Sequence, residues 1–136
     1  MSEKIKDGPF KEYRDNGQLE GEGTYKDGQP DGIWKTYYDN GQLLLEGTFK
    51  DGEGDGPFKV YYENGQLRQE GTYKDDKRVG PYKSYYDNGQ LEYEGTLKDG
   101  KRDGLWKVYD DPVYGNGKLE EERTYKDGEL IDSKKY

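Results

Sequence analysis

The chain of 136 residues contains no cysteine and no histidine. Their absence removes a disulfide frame, thiolate and imidazole metal sites, Cys and His nucleophiles and a histidine switch near neutral pH. Aliphatic residues are scarce as well. Leu, Ile, Val and Phe together number 20, below the rough fifth under which a highly charged chain ordinarily stays unfolded. A conventional aliphatic core is thereby excluded. No apolar stretch approaches the ~18 residues of a membrane-spanning helix, and Met1-Ser2-Glu3-Lys4 is not followed by the apolar segment of a signal peptide. On these grounds the chain reads as cytoplasmic, a trimmed leader aside.

What is abundant points elsewhere. Aromatic residues make up 15% of the chain, with 15 Tyr, and there are 21 Gly, which is not the composition of a solvated tail. The net charge of -8 repels phosphate, and no basic stripe offsets it, so nucleic acid is not expected as a partner and an anionic membrane is disfavoured.

The phrase Gly8-Pro9-Phe10-Lys11 returns at Gly32, Gly56, Gly80 and Gly104, a constant step of 24 residues. Each copy carries Lys at the fourth place (Lys11, Lys35, Lys59, Lys83, Lys107) and Tyr at the sixth. Then come Asn-Gly, a Leu two residues on, and a closing Glu-Gly-Thr, hydrophobe, Lys and Asp, as in Glu46-Gly47-Thr48-Phe49-Lys50-Asp51. The fifth copy departs, with Asp111-Pro112-Val113-Tyr114 lengthening its turn and Arg123 in place of the glycine after Glu122. The organisation is a charged cap (1–7), five repeats (8–31, 32–55, 56–79, 80–103, 104–132) and a polar tail (133–136).

Asn-Gly between short aromatic and β-branched runs is the strongest local hairpin signal. A two-residue Asn40-Gly41 turn puts Asp39 opposite Gln42 and makes every cross-strand pair sum to 81 in residue number. Lys35 then faces Glu46, Trp34 faces Gly47 and Gly32 faces Phe49. In this scheme the rings cover glycines across the strand pair, so a side chain added at Gly47 would meet Trp34. Alternation places Trp34, Tyr38, Leu43, Leu45 and Phe49 on one face and Lys35, Tyr37, Glu46, Thr48 and Lys50 on the other. The expected fold is all-β: one elongated antiparallel meander of about ten short strands.

No catalytic or metal-binding residues and no cofactor are expected. Asp51-Gly52-Glu53-Gly54-Asp55-Gly56 imitates the start of a calcium loop, but its twelfth place is Tyr62 rather than a bidentate Glu. Ser2, Ser84 and Ser133 have no His partner. The candidate binding residues are the rings of the apolar face, Phe10, Trp34, Tyr38, Phe58, Tyr62, Tyr82, Tyr86 and Trp106, because Tyr and Trp give large contact area at little entropic cost. Lys35, Glu46, Gly47 and Phe49 are read as structural pairs. Charged Glu3-Lys4-Ile5-Lys6-Asp7 and the degenerate last copy guard the two sheet edges, which favours a monomer or a homodimer over a filament.

The unit Gly-x-Trp-Lys-x-Tyr-Tyr-x-Asn-Gly-x-Leu-x-x-Glu-Gly-Thr-Tyr-Lys-Asp-Gly resembles the variant MORN repeat of bacterial YwqK-type antitoxins, from Gly8 to about Asp132. The resemblance implies a non-enzymatic hairpin sheet and, for the antitoxin members, a partner toxin that is neutralised. Scaffolding, dimerisation and lipid-headgroup binding are the alternatives implied by MORN repeats at large. Trp-x-x-Tyr-Tyr with Asn-Gly also resembles choline- and glucan-binding repeats, which run at a shorter period.

Overall fold

The structure, a computed structural model, describes residues 7–113 and 115–136. Of the expected cap, only Asp7 falls within them; Glu3-Lys4-Ile5-Lys6 lies outside, as does Tyr114 of the lengthened turn. The chain forms one antiparallel sheet of thirteen strands, and among the described residues there is no helix. In chain order they are β1 (Gly8–Tyr13), β2 (Leu19–Lys26), β3 (Gln29–Pro30), β4 (Gly32–Tyr37), β5 (Leu43–Lys50), β6 (Glu53–Gly54) and β7 (Gly56–Tyr61). There follow β8 (Leu67–Lys74), β9 (Lys77–Tyr85), β10 (Leu91–Lys98), β11 (Lys101–Tyr109), β12 (Leu119–Lys126) and β13 (Glu129–Lys135).

The sheet is a meander in which neighbours in sequence are neighbours in space, with two-residue β3 and β6 pairing back onto β2 and β5. The count exceeds ten for two physical reasons. The links Gln29–Pro30 and Glu53–Gly54 make their own ladder bonds before the chain resumes as β4 and β7. The chain also turns back once more at its end, so that Ser133, Lys134 and Lys135, read from sequence as tail, belong to edge strand β13.

Turn chemistry is distributed differently from the expectation. The turns with two consecutive positive φ values are at the links, where Asp27 (φ 51°) and Gly28 (φ 78°) join the directly paired Lys26 and Gln29, the conformation a tight two-residue hairpin needs. At Asn40-Gly41 only Gly41 (φ 83°) is left-handed. The Gly41 N–H donates to the Tyr38 carbonyl at 3.0 Å, and the Tyr38 N–H donates to the Gln42 carbonyl at 2.8 Å. This is a three-residue loop, a type I turn closed by a left-handed glycine. The Asn40 side chain accepts from the Gln42 N–H at 2.9 Å and fixes the turn from within.

Asp39 therefore does not face Gln42. Pairs nearest the turn (Tyr37 with Leu43) sum to 80, and the register reaches 81 only from Thr36 with Leu45 outward, leaving Leu44 as a β-bulge. The same shift recurs in the other four hairpins. Beyond the bulge, Lys35 lies opposite Glu46, Trp34 opposite Gly47 and Gly32 opposite Phe49. Inside it the faces exchange. Leu43, paired with Tyr37, sits on the charged face and not on the ring face where strict alternation put it.

With no second layer, the core is one patch of a single sheet face. Trp106, Phe58 and Tyr82 are 1%, 4% and 5% exposed, with Leu97 packed among them and Val60, Tyr73, Tyr93 and Tyr125 around them. All of these lie in the last three repeats, and Phe10 at the first strand is 38% exposed.

Candidate functional site

Each ring on β4, β7 and β9 has a glycine of the adjacent strand on either side and can lie over either, whereas Trp106 on β11 has Gly95 on one side and Arg123 on the other. Trp34 lies over Gly23 of the preceding repeat: a Cβ built there would fall 2.1 Å from the indole, whereas none of its atoms comes within 4 Å of a Cβ at Gly47. The expectation that Trp34 covers Gly47 is overturned. The indole N–H explains the direction, because it donates to the Thr24 carbonyl at 3.1 Å. Trp106 repeats the arrangement over Gly95, with its N–H on the Thr96 carbonyl at 3.1 Å. Phe49 does not cover Gly32 either; a Cβ there would meet nothing within 4 Å.

Phe58 instead leans forward over Gly71, which it shares with Tyr82. Trp34 leaning back and Phe58 leaning forward divide the rings into two groups. Phe10, Tyr25 and Trp34 pack on one another with centroids 5.0–6.1 Å apart. Phe58, Tyr73, Tyr82, Tyr93, Trp106 and Tyr125 form a second, continuous run with centroids 4.8–6.4 Å apart. Among the described residues no ring pair joins the groups. Between them opens a groove of about 540 Å³ over Gly47, walled by Trp34, Phe49 and Phe58, with Leu45 and Val60 among its lining residues. Its size is that of a ligand pocket.

The structure separates the sequence-predicted ring residues into three sets. Phe58, Tyr82 and Trp106 are buried by their neighbours. Tyr38, Tyr62 and Tyr86 tie successive hairpins together: their hydroxyls donate to the carbonyls of Tyr61, Tyr85 and Tyr109 at 2.5, 2.6 and 2.8 Å. Phe10 is exposed, and Trp34 is half-buried, as are Tyr38, Tyr62 and Tyr86. Asn40 and Asn64 reinforce the same junctions by donating to the carbonyls of Glu63 and Asp87.

Sequence reasoning missed Arg14, which stands where later repeats have Tyr and performs the same task. Its guanidinium donates to the Tyr37 carbonyl at 2.8 Å and pairs with Asp39 at 3.1 Å. The signal was its alignment with Tyr38. Missed too were Arg78 and Arg102 in the links. Arg78 stands 5.5–5.9 Å from the rings of Phe58, Tyr73 and Tyr82, and Arg102 stands 4.6–5.4 Å from those of Tyr93, Trp106 and Tyr125. These are cation–π contacts along the ring face, with Arg78 exposed and Arg102 half-buried.

On the opposite face the Lys and Glu residues form one alternating row. It runs Lys11, Glu22, Lys35, Glu46, Lys59, Glu70, Lys83, Glu94, Lys107, Glu122, Lys134, each paired in register with the next. The ion pairs within 4.0 Å among the described residues are elsewhere, at Arg14 with Asp39 and Arg123 with Glu121. Lys35 and Glu46 are thus register neighbours without a closed salt bridge, as suits solvated charges of small energetic value. The Tyr37 and Tyr109 hydroxyls donate to Glu22 and Glu94 at 3.3 and 3.4 Å. The calcium-like segment is spent on structure: Asp51 and Gly52 form the link turn and Glu53–Gly54 is β6.

Burial, followed by the neighbouring Tyr93, pushes the Tyr82 hydroxyl up to about 12. The folded state holds its proton more tightly than the unfolded state, whose phenol titrates near 10. The stabilisation is complete below pH 10 and is lost as pH rises through about 12. Stability measured by denaturant titration should fall by about 1–2 kcal/mol over that interval, and Tyr82→Phe should flatten the fall. An unchanged slope in the variant would assign alkaline lability to other tyrosines.

No curated protein matches the chain. The family model for the MORN repeat variant matches residues 6–27, 30–51, 54–75, 78–99 and 113–127. The last match starts within the lengthened turn and takes in β12 but not β11, as the degenerate fifth copy leads one to expect. With most of its length matched and its hairpins repeating at the same period, the chain belongs to the MORN repeat variant family.

Proposed function

We propose that the chain is a non-catalytic binding repeat that holds another protein against the groove between the two ring groups, and that it acts as an antitoxin or immunity-type inhibitor. The supporting observation is the break at Gly47. Trp34 packs backward on Phe10 and Phe58 packs forward on Tyr73, and between them, beside Phe49, opens a cavity of about 540 Å³. A sheet presenting an apolar cavity beside a net charge of -8 suits recognition of a basic protein surface. The antitoxin role is carried by the resemblance to YwqK-type repeats and by that acidity, which would cover a basic substrate cleft. The setting proposed for it is the cytoplasm.

A second reading is favoured by a different observation. Leu130 and Ile131 on edge strand β13 are 53% and 59% exposed, and an open apolar edge can pair with a second copy in a scaffold.

Phe49→Glu tests the first reading, and Leu130→Lys with Ile131→Lys tests the second, by abolishing any self-association seen in sedimentation of the wild type. Phe49 stacks on none of the described rings, so the variant should stay folded, lose capture of the partner from a lysate of the source cells and keep its sedimentation coefficient. Capture and assembly both unaffected would remove the groove from the functional account. A captured protein whose expression arrests growth, and whose effect this chain relieves, supports the antitoxin role. One without that effect ends it.

A further inference from the structure

We propose that the groove over Gly47 receives an arginine side chain of the partner protein, held between Trp34, Phe49 and Phe58 as this chain's own Arg78 is held between Phe58, Tyr73 and Tyr82 one repeat further on. The inference rests on the reading of the groove as a protein-binding face and names the chemistry of the group it takes.

Successive links differ in the residue they set against the rings. Arg78 lies opposite Tyr73 in the register and stands against the rings of Phe58, Tyr73 and Tyr82, its Nε donating to the Tyr73 hydroxyl at 3.2 Å. Arg102, one 24-residue step later, lies opposite Leu97 and stands against Tyr93, Trp106 and Tyr125, its Nη1 donating to the Tyr125 hydroxyl at 3.1 Å. One step before Arg78 the place falls to Gly54, opposite Phe49. The rings that correspond to the Arg78 cage are Trp34, Phe49 and Phe58, and these are the walls of the groove. One step earlier again is Pro30, opposite Tyr25, where Phe10, Tyr25 and Trp34 close on one another and leave no cage. Among these four junctions, Gly54 alone combines an open ring set with no arginine or proline at the link position itself.

Charge at the groove fits the same occupant. Asp76 lines it, with one carboxylate oxygen accepting the Gly54 N–H at 2.9 Å and the other without a protein partner among the described residues. Arg78 also lines the groove, but its guanidinium is engaged by Tyr73 and three rings. A guanidinium can stack on ring faces while its edge reaches a carboxylate, and the two contacts together favour it over a neutral isostere. The chain's net charge of -8 favours a basic partner.

The test is an NMR titration of the full chain with three probes: Nα-acetyl-arginine amide, its neutral citrulline counterpart and choline. The arginine probe should shift the Gly47 and Gly54 amides and the Trp34 indole N–H saturably, with the Trp106 indole unmoved. The citrulline probe should bind about tenfold more weakly. Gly54→Arg should fill the cage from within and abolish the response. Its Cβ would approach Tyr73 at 3.1–3.3 Å, so if that variant does not fold, Asp76→Asn serves instead. It keeps the acceptor for Gly54, removes the charge and should weaken the arginine probe several-fold. Equal binding of citrulline, tighter binding of choline, or no shift at these three signals would overturn the proposal. Any of these alongside partner capture that still depends on Phe49 would leave the protein-binding reading standing, whereas capture indifferent to Phe49 would remove that reading.

Discussion

Gly95→Ala should unfold much of the C-terminal half of the protein, while Gly47→Ala, at the equivalent place two repeats earlier, should be nearly silent. A methyl at Gly95 would fall 2.1–2.5 Å from atoms of the Trp106 indole, far inside contact distance. The ring cannot yield sideways, because it is 1% exposed, its N–H is held by the Thr96 carbonyl and Arg102 lies 4.6 Å from its centroid. Admitting the methyl means expelling the indole, which amounts to the loss of a buried Trp, about 3–5 kcal/mol. At Gly47 the nearest neighbour of the new methyl is a Phe49 ring atom at 3.5 Å, an ordinary contact, and the change should stay within about 1 kcal/mol. Thermal melts of the two variants provide the measurement. Equal destabilisation would mean that Trp106 does not rest on Gly95.

The repeat period, the hairpins and the pairing of Lys35 with Glu46 were legible because each is a statement about backbone spacing, which five copies repeat. The direction of the rings was not. Trp34 has Gly23 on one side and Gly47 on the other, and strand pairing places both beside it. The choice falls to the indole N–H, which reaches the Thr24 carbonyl only by leaning back, a preference Phe58 lacks. The turn at Asn40-Gly41 misled for a related reason. Asn tolerates a positive φ, but here its side chain is occupied with the Gln42 N–H and the Glu63 carbonyl, and the glycine alone bends the chain. The groove had a signal that strand-face reasoning passed over. Pro30, Gly54, Arg78 and Arg102 occupy one position of the repeat, and in a polar link their differences read as turn variation until the rings around them are seen.

The same break in the ring row should divide the protein's stability in two. Every apolar side chain of the core cluster lies in the last three repeats, where β9 and β11 run unbroken for nine residues through the links. Before the third repeat the corresponding strands are interrupted, so that β2 meets β4 and β5 meets β7 in only two register pairs each, and at the second of these junctions no ring pair among the described residues crosses between the ring groups either. In a repeat sheet each unit is stabilised mainly by its neighbours, so the weak junction at the groove should let residues 8–50 open without the rest. Native-state hydrogen exchange should show lower opening free energies for β2, β4 and β5 than for β9 to β12. The two tryptophans report on the halves separately. Trp34→Ala, at a half-buried ring, should cost about 1–2 kcal/mol, confined to the first two repeats, whereas Trp106→Ala should cost about 3–5 kcal/mol and abolish protection throughout the C-terminal half. Identical protection in both halves, with each variant lowering it uniformly, would show that the sheet unfolds as one unit across Gly47 and that the groove is not a boundary in its cooperativity.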